Sequence, residues 1–80
     1  MKIQIEAFGI VKDIFGNKYI ELEFQVGGKV AELKELLMLK YPALKDLRSL
    51  AIAINESYAN DQDEVKETDE IVLIPPVSGG

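Results

Sequence analysis

The chain opens on a period of two. Ile3, Ile5 and Ala7 alternate with Lys2, Gln4 and Glu6, which predicts a half-buried strand. Ile20, Leu22, Phe24 and Val26 then alternate with Glu21, Glu23 and Gln25, predicting a second strand. Phe15-Gly16-Asn17-Lys18 between them reads as a turn, so the pair is expected to form an antiparallel hairpin with a long loop.

Gly27-Gly28 breaks this pattern, and the period changes. Val30, Leu33, Leu37 and Tyr41 recur at helical spacing, with Leu36 at the edge of the stripe. Pro42 places the helix end near Tyr41. The helix start is poorly capped by its own residues: Lys29 stands where Ser, Thr or Asp is preferred, leaving only Gly28 to serve. Leu39 falls on the face opposite the stripe and is expected to be an exposed singleton or part of a contact surface.

Leu50, Ala51, Ile52, Ala53 and Ile54 predict a buried strand, Asn55-Glu56 a turn, and Tyr58-Ala59 a short return strand. An acidic loop over residues 60–64 and a turn at Thr68-Asp69 lead to Ile71, Val72, Leu73 and Ile74, an uninterrupted apolar strand of the kind covered on both faces. The order is β-β-α-β-(β)-β, an α+β fold. One helix cannot cover both faces of the sheet, so one face is expected to stay partly open, with apolar surface from the last strand as a candidate docking site.

Composition sharpens this. Eighty residues make one domain, expected over residues 1–76 with a flexible tail at 77–80. A hydrophobic share of 48% suits a globular chain. Cysteine and histidine are absent, which removes disulfides, thiolate metal sites, a cysteine nucleophile and the commonest general base. Fourteen acidic against nine basic residues give a net charge of −5, with no basic patch for nucleic acid; a basic protein partner fits better. No apolar run approaches the roughly 18 residues of a membrane span, and no address signal is readable, so no membrane association and a cytoplasmic location are expected.

The candidate chemistry lies at Pro75-Pro76-Val77-Ser78-Gly79-Gly80. Two prolines stop the strand and stiffen the tail into a segment reaching on the order of 18–20 Å. Gly79 and Gly80 have no side chains, so they pass through a narrow channel and leave the Gly80 carboxylate unhindered. That carboxylate is ionised at neutral pH and is a poor acyl donor until it becomes a mixed anhydride. The chain has no phosphate-binding loop, so activation is expected from a partner that binds ATP and magnesium. The chain itself is expected to bind no cofactor and no metal.

This ending, directly after a hydrophobic strand, resembles that of the molybdopterin synthase sulfur-carrier subunits, the MoaD family. Phe8 is similar to an early family phenylalanine, Val30-Ala31-Glu32-Leu33 to the family helix start, Ile54-Asn55-Glu56-Ser57-Tyr58 to the third-strand turn, and Thr68-Asp69-Glu70-Ile71-Val72 to the approach to the last strand. The chain departs from the family pattern at Ile74, often aromatic, at Thr68-Asp69, usually Gly-Asp, and at Val11-Lys12, often near an arginine.

The resemblance implies a β-grasp, ubiquitin-like fold with a mixed sheet packed on one main helix. It implies that an E1-like enzyme adenylates Gly80 and that a sulfurtransferase system converts it to a thiocarboxylate. The loaded tail would donate sulfur to cyclic pyranopterin monophosphate in the active site of a large subunit, within a heterotetramer. Catalytic side chains would belong to the large subunit, so this chain is not expected to be an enzyme on its own. Phe8, Ile74 and Val77 are the expected apolar anchors of the interface. Three other readings stay open: a thiamin sulfur carrier, a ubiquitin-related modifier that also serves tRNA thiolation, and a β-grasp interaction module with an inert tail.

Overall fold

The computed structural model describes residues 1–47 and 50–75. The opening alternation becomes strand β1, Lys2–Ala7, with Ile3, Ile5 and Ala7 buried. Strand β2, Tyr19–Glu23, pairs with it antiparallel, setting Leu22 opposite Ile3 and Ile20 opposite Ile5. β2 is shorter than its sequence pattern. Met1 makes the last pairing, its N-terminal ammonium donating to Phe24 O and its carbonyl accepting from Phe24 N–H, both at 2.8 Å. Beyond Phe24 the chain turns towards the next helix, which leaves Val26 82% exposed instead of extending the strand.

The connection between β1 and β2, expected as a loop, holds a helix, α1, Gly9–Phe15. Seven residues are too few for a helix stable by itself. Val11 and Phe15 hold it by entering the core. Gly16, at φ 79°, closes it in the left-handed conformation, donating its N–H to Lys12 O at 2.9 Å.

Helix α2, Val30–Lys40, buries Val30, Leu33 and Leu37 and stops at Tyr41, before Pro42. Gly28 lies under the Phe24 ring, where a β-carbon would stand 2.5 Å from Cε2, so the close approach requires glycine. The weak local cap is made good from elsewhere. Val30 N–H donates to Asp63 O at 2.9 Å and Ala31 N–H to Asp61 O at 3.1 Å. The Glu32 carboxylate accepts from Lys29 N–H at 2.9 Å; the Lys29 ammonium has no lone pair with which to return the bond. The acidic loop therefore lies over the helix start and satisfies its orphan donors. Val65 anchors the loop by being fully buried and donating its N–H to Gly28 O.

A 3₁₀ turn over Pro42–Asp46 then buries Leu44. Strands β3, Ala51–Ile54, and β4, Ser57–Tyr58, form a hairpin whose turn residues Asn55 and Glu56 both have positive φ. Strand β5, Ile71–Ile74, completes a five-stranded sheet in the order β2-β1-β5-β3-β4. β5 is central, parallel to β1 and antiparallel to β3. Residues of α1, α2 and the 3₁₀ turn share one core with Ile3, Ile5, Ile52, Ile71 and Leu73, so all three pack on the same face of the sheet. Among the described residues the opposite face stays partly open, as expected from the sequence pattern. The expectation of a flexible tail at 77–80 falls outside the described residues.

Candidate functional site

The parallel pairing of β1 and β5 decides what surrounds the start of the C-terminal segment. Ala7 is the Cα partner of Leu73, so Phe8 and Ile74 continue side by side. Phe8 is still extended (φ −129°, ψ 157°), and the alternation that buries Ala7 turns Phe8 to the open face, where it is 46% exposed. Ile74 follows Leu73 to that face and is half-buried, with Ala51 of β3 as its neighbour. One residue on, a β-carbon built on Gly9 would stand 3.6 Å from Pro75 Cγ. Pro75 thus leaves the sheet against the start of α1. Of the expected site residues, Phe8, Ile74 and Pro75 come together; Pro76, Val77, Ser78, Gly79 and Gly80 lie outside the described residues.

Residues beyond the expected anchors extend this patch. Val72 pairs with Ala53, and Ala53 with Tyr58, which is 74% exposed. The small alanines keep the surface low, and Tyr58 rises at its rim. On the other side, Lys18 Nζ lies 5.9 Å from the Phe8 ring centre and 5.7 Å from that of Tyr19, within cation–π range. The same ammonium stands 3.6 Å from Glu6 Oε2, which also accepts from the Tyr19 hydroxyl at 3.4 Å. The signal for Tyr19 was present: it alternates in phase with Glu21 and Glu23, opposite Ile20 and Leu22.

The open face therefore has two halves. The half at the root of the C-terminal segment is apolar, formed by Phe8, Val72, Ile74 and the two alanines. The remainder carries Gln4, Glu6, Glu21 and Glu23 with Lys2. Among the described residues no group of three or more His, Cys, Asp or Glu could hold a metal ion, and no helix is long and apolar enough to cross a membrane.

The model of the ThiS family matches residues 5–80. The chain belongs to the ThiS family. The match begins within β1 and runs through both helices and all the later strands, so the ThiS-family pattern is carried by nearly the whole body and not by one motif. A relative in Arabidopsis thaliana, a molybdopterin synthase sulfur carrier subunit, is 32% identical over 81 residues, covering 100% of this chain and 84% of that protein. Among solved structures, the solution structure of small archaeal modifier protein 1 from Methanosarcina acetivorans is 28% identical, with a TM-score of 0.78, over 99% of this chain and 96% of that one. A complex of subunits 1 and 2 of molybdopterin-converting factor from Helicobacter pylori contains a chain 28% identical to this one, with a TM-score of 0.68 and full coverage of both. The fold of this ThiS-family chain is the ubiquitin-like β-grasp expected from its sequence. The expected single main helix is joined by α1.

Proposed function

We propose that this chain is the sulfur-carrier subunit of a molybdopterin synthase and acts through a thiocarboxylate on Gly80. The observation that carries the reading is the reach of the family match: it runs to residue 80 and so includes Gly79-Gly80, while the sulfur carrier subunit from Arabidopsis aligns over the whole chain. The geometry is consistent with it. A central strand delivers Pro75 to the edge of an apolar patch, so a partner that covers Phe8 and Ile74 also receives the residues beyond Pro75.

The chemistry comes from the carboxylate. In an activating partner that holds ATP and magnesium, a Gly80 oxygen attacks the α-phosphorus and pyrophosphate leaves, giving an acyl-adenylate. Sulfur at the sulfide level then attacks the acyl carbon and AMP leaves with one of the original carboxylate oxygens, so that one oxygen has been exchanged for sulfur. The loaded tail enters the active site of a large synthase subunit and gives its sulfur to cyclic pyranopterin monophosphate, and water takes the place of the sulfur so that the Gly80 carboxylate is restored. The existence of a Helicobacter complex of subunits 1 and 2 supports a pairing of small and large subunits. This chain contributes the docking patch, the strand that aims the tail, and two side-chain-free residues that fit a narrow channel. The catalytic side chains, the ATP and the magnesium belong to the partners.

The absence of cysteine makes the test direct. Cleavage after Lys66 releases residues 67–80, which contain no methionine, so a mass gain there is not sulfoxide. After incubation with the activating enzyme, ATP, magnesium and a sulfur donor, a thiol-directed alkylating reagent should label this peptide, and omitting ATP should prevent labelling. A second reading, a covalent protein modifier, is favoured by the 28% identity to the archaeal modifier. It wins if the peptide stays unlabelled while Gly80 appears in amide linkage to lysines of other proteins.

A further inference from the structure

β2 is an edge strand, and its hydrogen bonds to β1 determine what its outer edge presents. Ala7 N–H donates to Lys18 O at 2.7 Å, and Phe24 N–H to Met1 O at 2.8 Å. Bonded and non-bonded pairs alternate along an antiparallel ladder. Residues 18, 20, 22 and 24 therefore bond to β1, and Tyr19, Glu21 and Glu23 turn their N–H and C=O groups outward. No described residue outside β2 bonds to these groups. The same three residues carry their side chains on the open face.

Beside the far end of this edge, away from Pro75, a cleft of ≈ 360 Å³ separates β2 from α2. Phe24, Leu36 and Leu39 form its apolar surface, and Glu23, Glu32 and Glu35 rim it. Leu39 is 74% exposed, although α2 has a fully buried stripe on its other side. Glu32 is engaged by Lys29 N–H and Gln25, and Glu23 stands 3.5 Å from the N-terminal ammonium. Glu21 and Glu35 have no ion pair among the described residues.

We propose that the β2 edge and this cleft together receive an extended segment of a partner protein in which lysine or arginine alternates with aliphatic residues. The free N–H and C=O groups of Tyr19, Glu21 and Glu23 would extend the sheet by one strand. An added strand sends alternate side chains to opposite sides. Those on the open face meet Glu21 and Glu23, which selects cations. Those on the other side meet the cleft lined by Phe24, Leu36 and Leu39, which selects aliphatic groups. A second copy of this chain is a poor occupant, because β2 against β2 sets Glu21 and Glu23 against carboxylates. Charged edges normally prevent pairing. Here the charges share one sign and one face, so they reject acidic strands while admitting basic ones. The surface borders the patch around Phe8 and Ile74 at Tyr19, whose ring shares Lys18 with Phe8, and its cleft lies at the opposite end of β2; the proposal does not depend on the function of the tail.

The test uses a peptide, acetyl-Lys-Val-Lys-Val-Lys-Val-Lys-amide, titrated into the isotope-labelled full chain. Amide shifts should move at Tyr19, Glu21, Glu23, Leu36 and Leu39, and hydrogen exchange should slow at the amides of Tyr19, Glu21 and Glu23. The double variant Glu21→Lys, Glu23→Lys should weaken binding by about tenfold. Leu39→Asp, at an exposed position that leaves the core intact, should weaken it as well. A peptide N-methylated at alternate backbone amides keeps its charge and loses its hydrogen bonds. If that peptide binds equally well, if the shifts spread over other acidic sites such as Asp61 and Asp63, or if nothing binds, the proposal is overturned.

Discussion

Phe15 and Tyr41 meet with ring centroids 4.6 Å apart and planes tilted by 44°. The pair joins the last residue of α1 to the residue that ends α2, across 26 positions of sequence, and is within the range of favourable aromatic contacts. Phe15 is 8% exposed, so its ring is part of the core. Phe15→Ala should destabilise the domain by about 3–5 kcal/mol. Small domains have only about 5–15 kcal/mol in total, so urea unfolding of this variant should begin at much lower denaturant. A loss under about 1 kcal/mol would mean that α1 is a detachable ornament on the sheet.

That contact also marks where the sequence stopped being readable. The alternation at Ile3 and Ile5, the helical stripe of Val30, Leu33 and Leu37, and the continuous run at Ile71, Val72, Leu73 and Ile74 each declare an element through their own period. α1 declares nothing, because two turns carrying two core residues have no period to detect; Val11 and Phe15 make a helix only once a core exists to receive them. The start of α2 looked uncapped for a related reason. Its partners are carbonyls of Asp61 and Asp63, about thirty residues away, and no local pattern reports them. At the candidate site, Phe8, Ile74 and Pro75 were each legible by type, but their adjacency comes from the parallel pairing of β1 with β5. That pairing is a property of the strand order.

The start of α2 offers a separate test. The Glu32 carboxylate bridges Lys29 N–H and the Gln25 side chain, at 2.9 and 2.7 Å. Glu32→Ala frees a backbone donor at a helix end and should lower stability by about 0.5–2 kcal/mol. Glu32→Gln keeps an acceptor and should recover most of the loss. Thermal unfolding of the two variants side by side checks this, and equal destabilisation would assign the effect to charge alone.

Strain in the β3–β4 turn predicts a gain. Glu56 has φ 71°, where a β-carbon is unfavourable. The two-residue turn with both central φ values positive prefers Asn-Gly. Glu56→Gly should therefore stabilise the domain by about 1 kcal/mol, seen as a higher urea midpoint with an unchanged slope. Asn55 should not tolerate replacement, because its side chain accepts from Glu70 N–H at 3.0 Å and donates to Asp69 at 3.1 Å.

The apolar patch makes a prediction about binding. Ile74→Asp places a charge at its centre, at a half-buried position beside Phe8, and Phe8→Ala removes its most prominent ring. Both should leave the circular dichroism of the domain native. Ile74→Asp should weaken binding to the large subunit by about 2 kcal/mol or more, the scale of an interface hot spot. Unchanged affinity in both variants would place the interface on another surface.

The last prediction separates reach from folding. Deleting Gly80 removes no side chain, so the urea midpoint should stay at the wild-type value. It draws the reacting carboxyl group back by about 3.3–3.6 Å, one residue of extended chain. Misplacement of a reacting atom by about 1 Å is enough for on the order of a hundredfold loss in rate. Sulfur transfer in a reconstituted synthase should therefore fall below detection, while affinity for the large subunit, which the proposed interface assigns to the patch at Phe8 and Ile74, should fall little. Adding a residue, as in a chain extended by one alanine after Gly80, should be equally damaging, because the carboxylate is then pushed past the reacting position and carries a methyl group beside it. Full activity in either variant would show that a carboxylate held at the position of Gly80 is not required, and the proposed chemistry at Gly80 would fall with it.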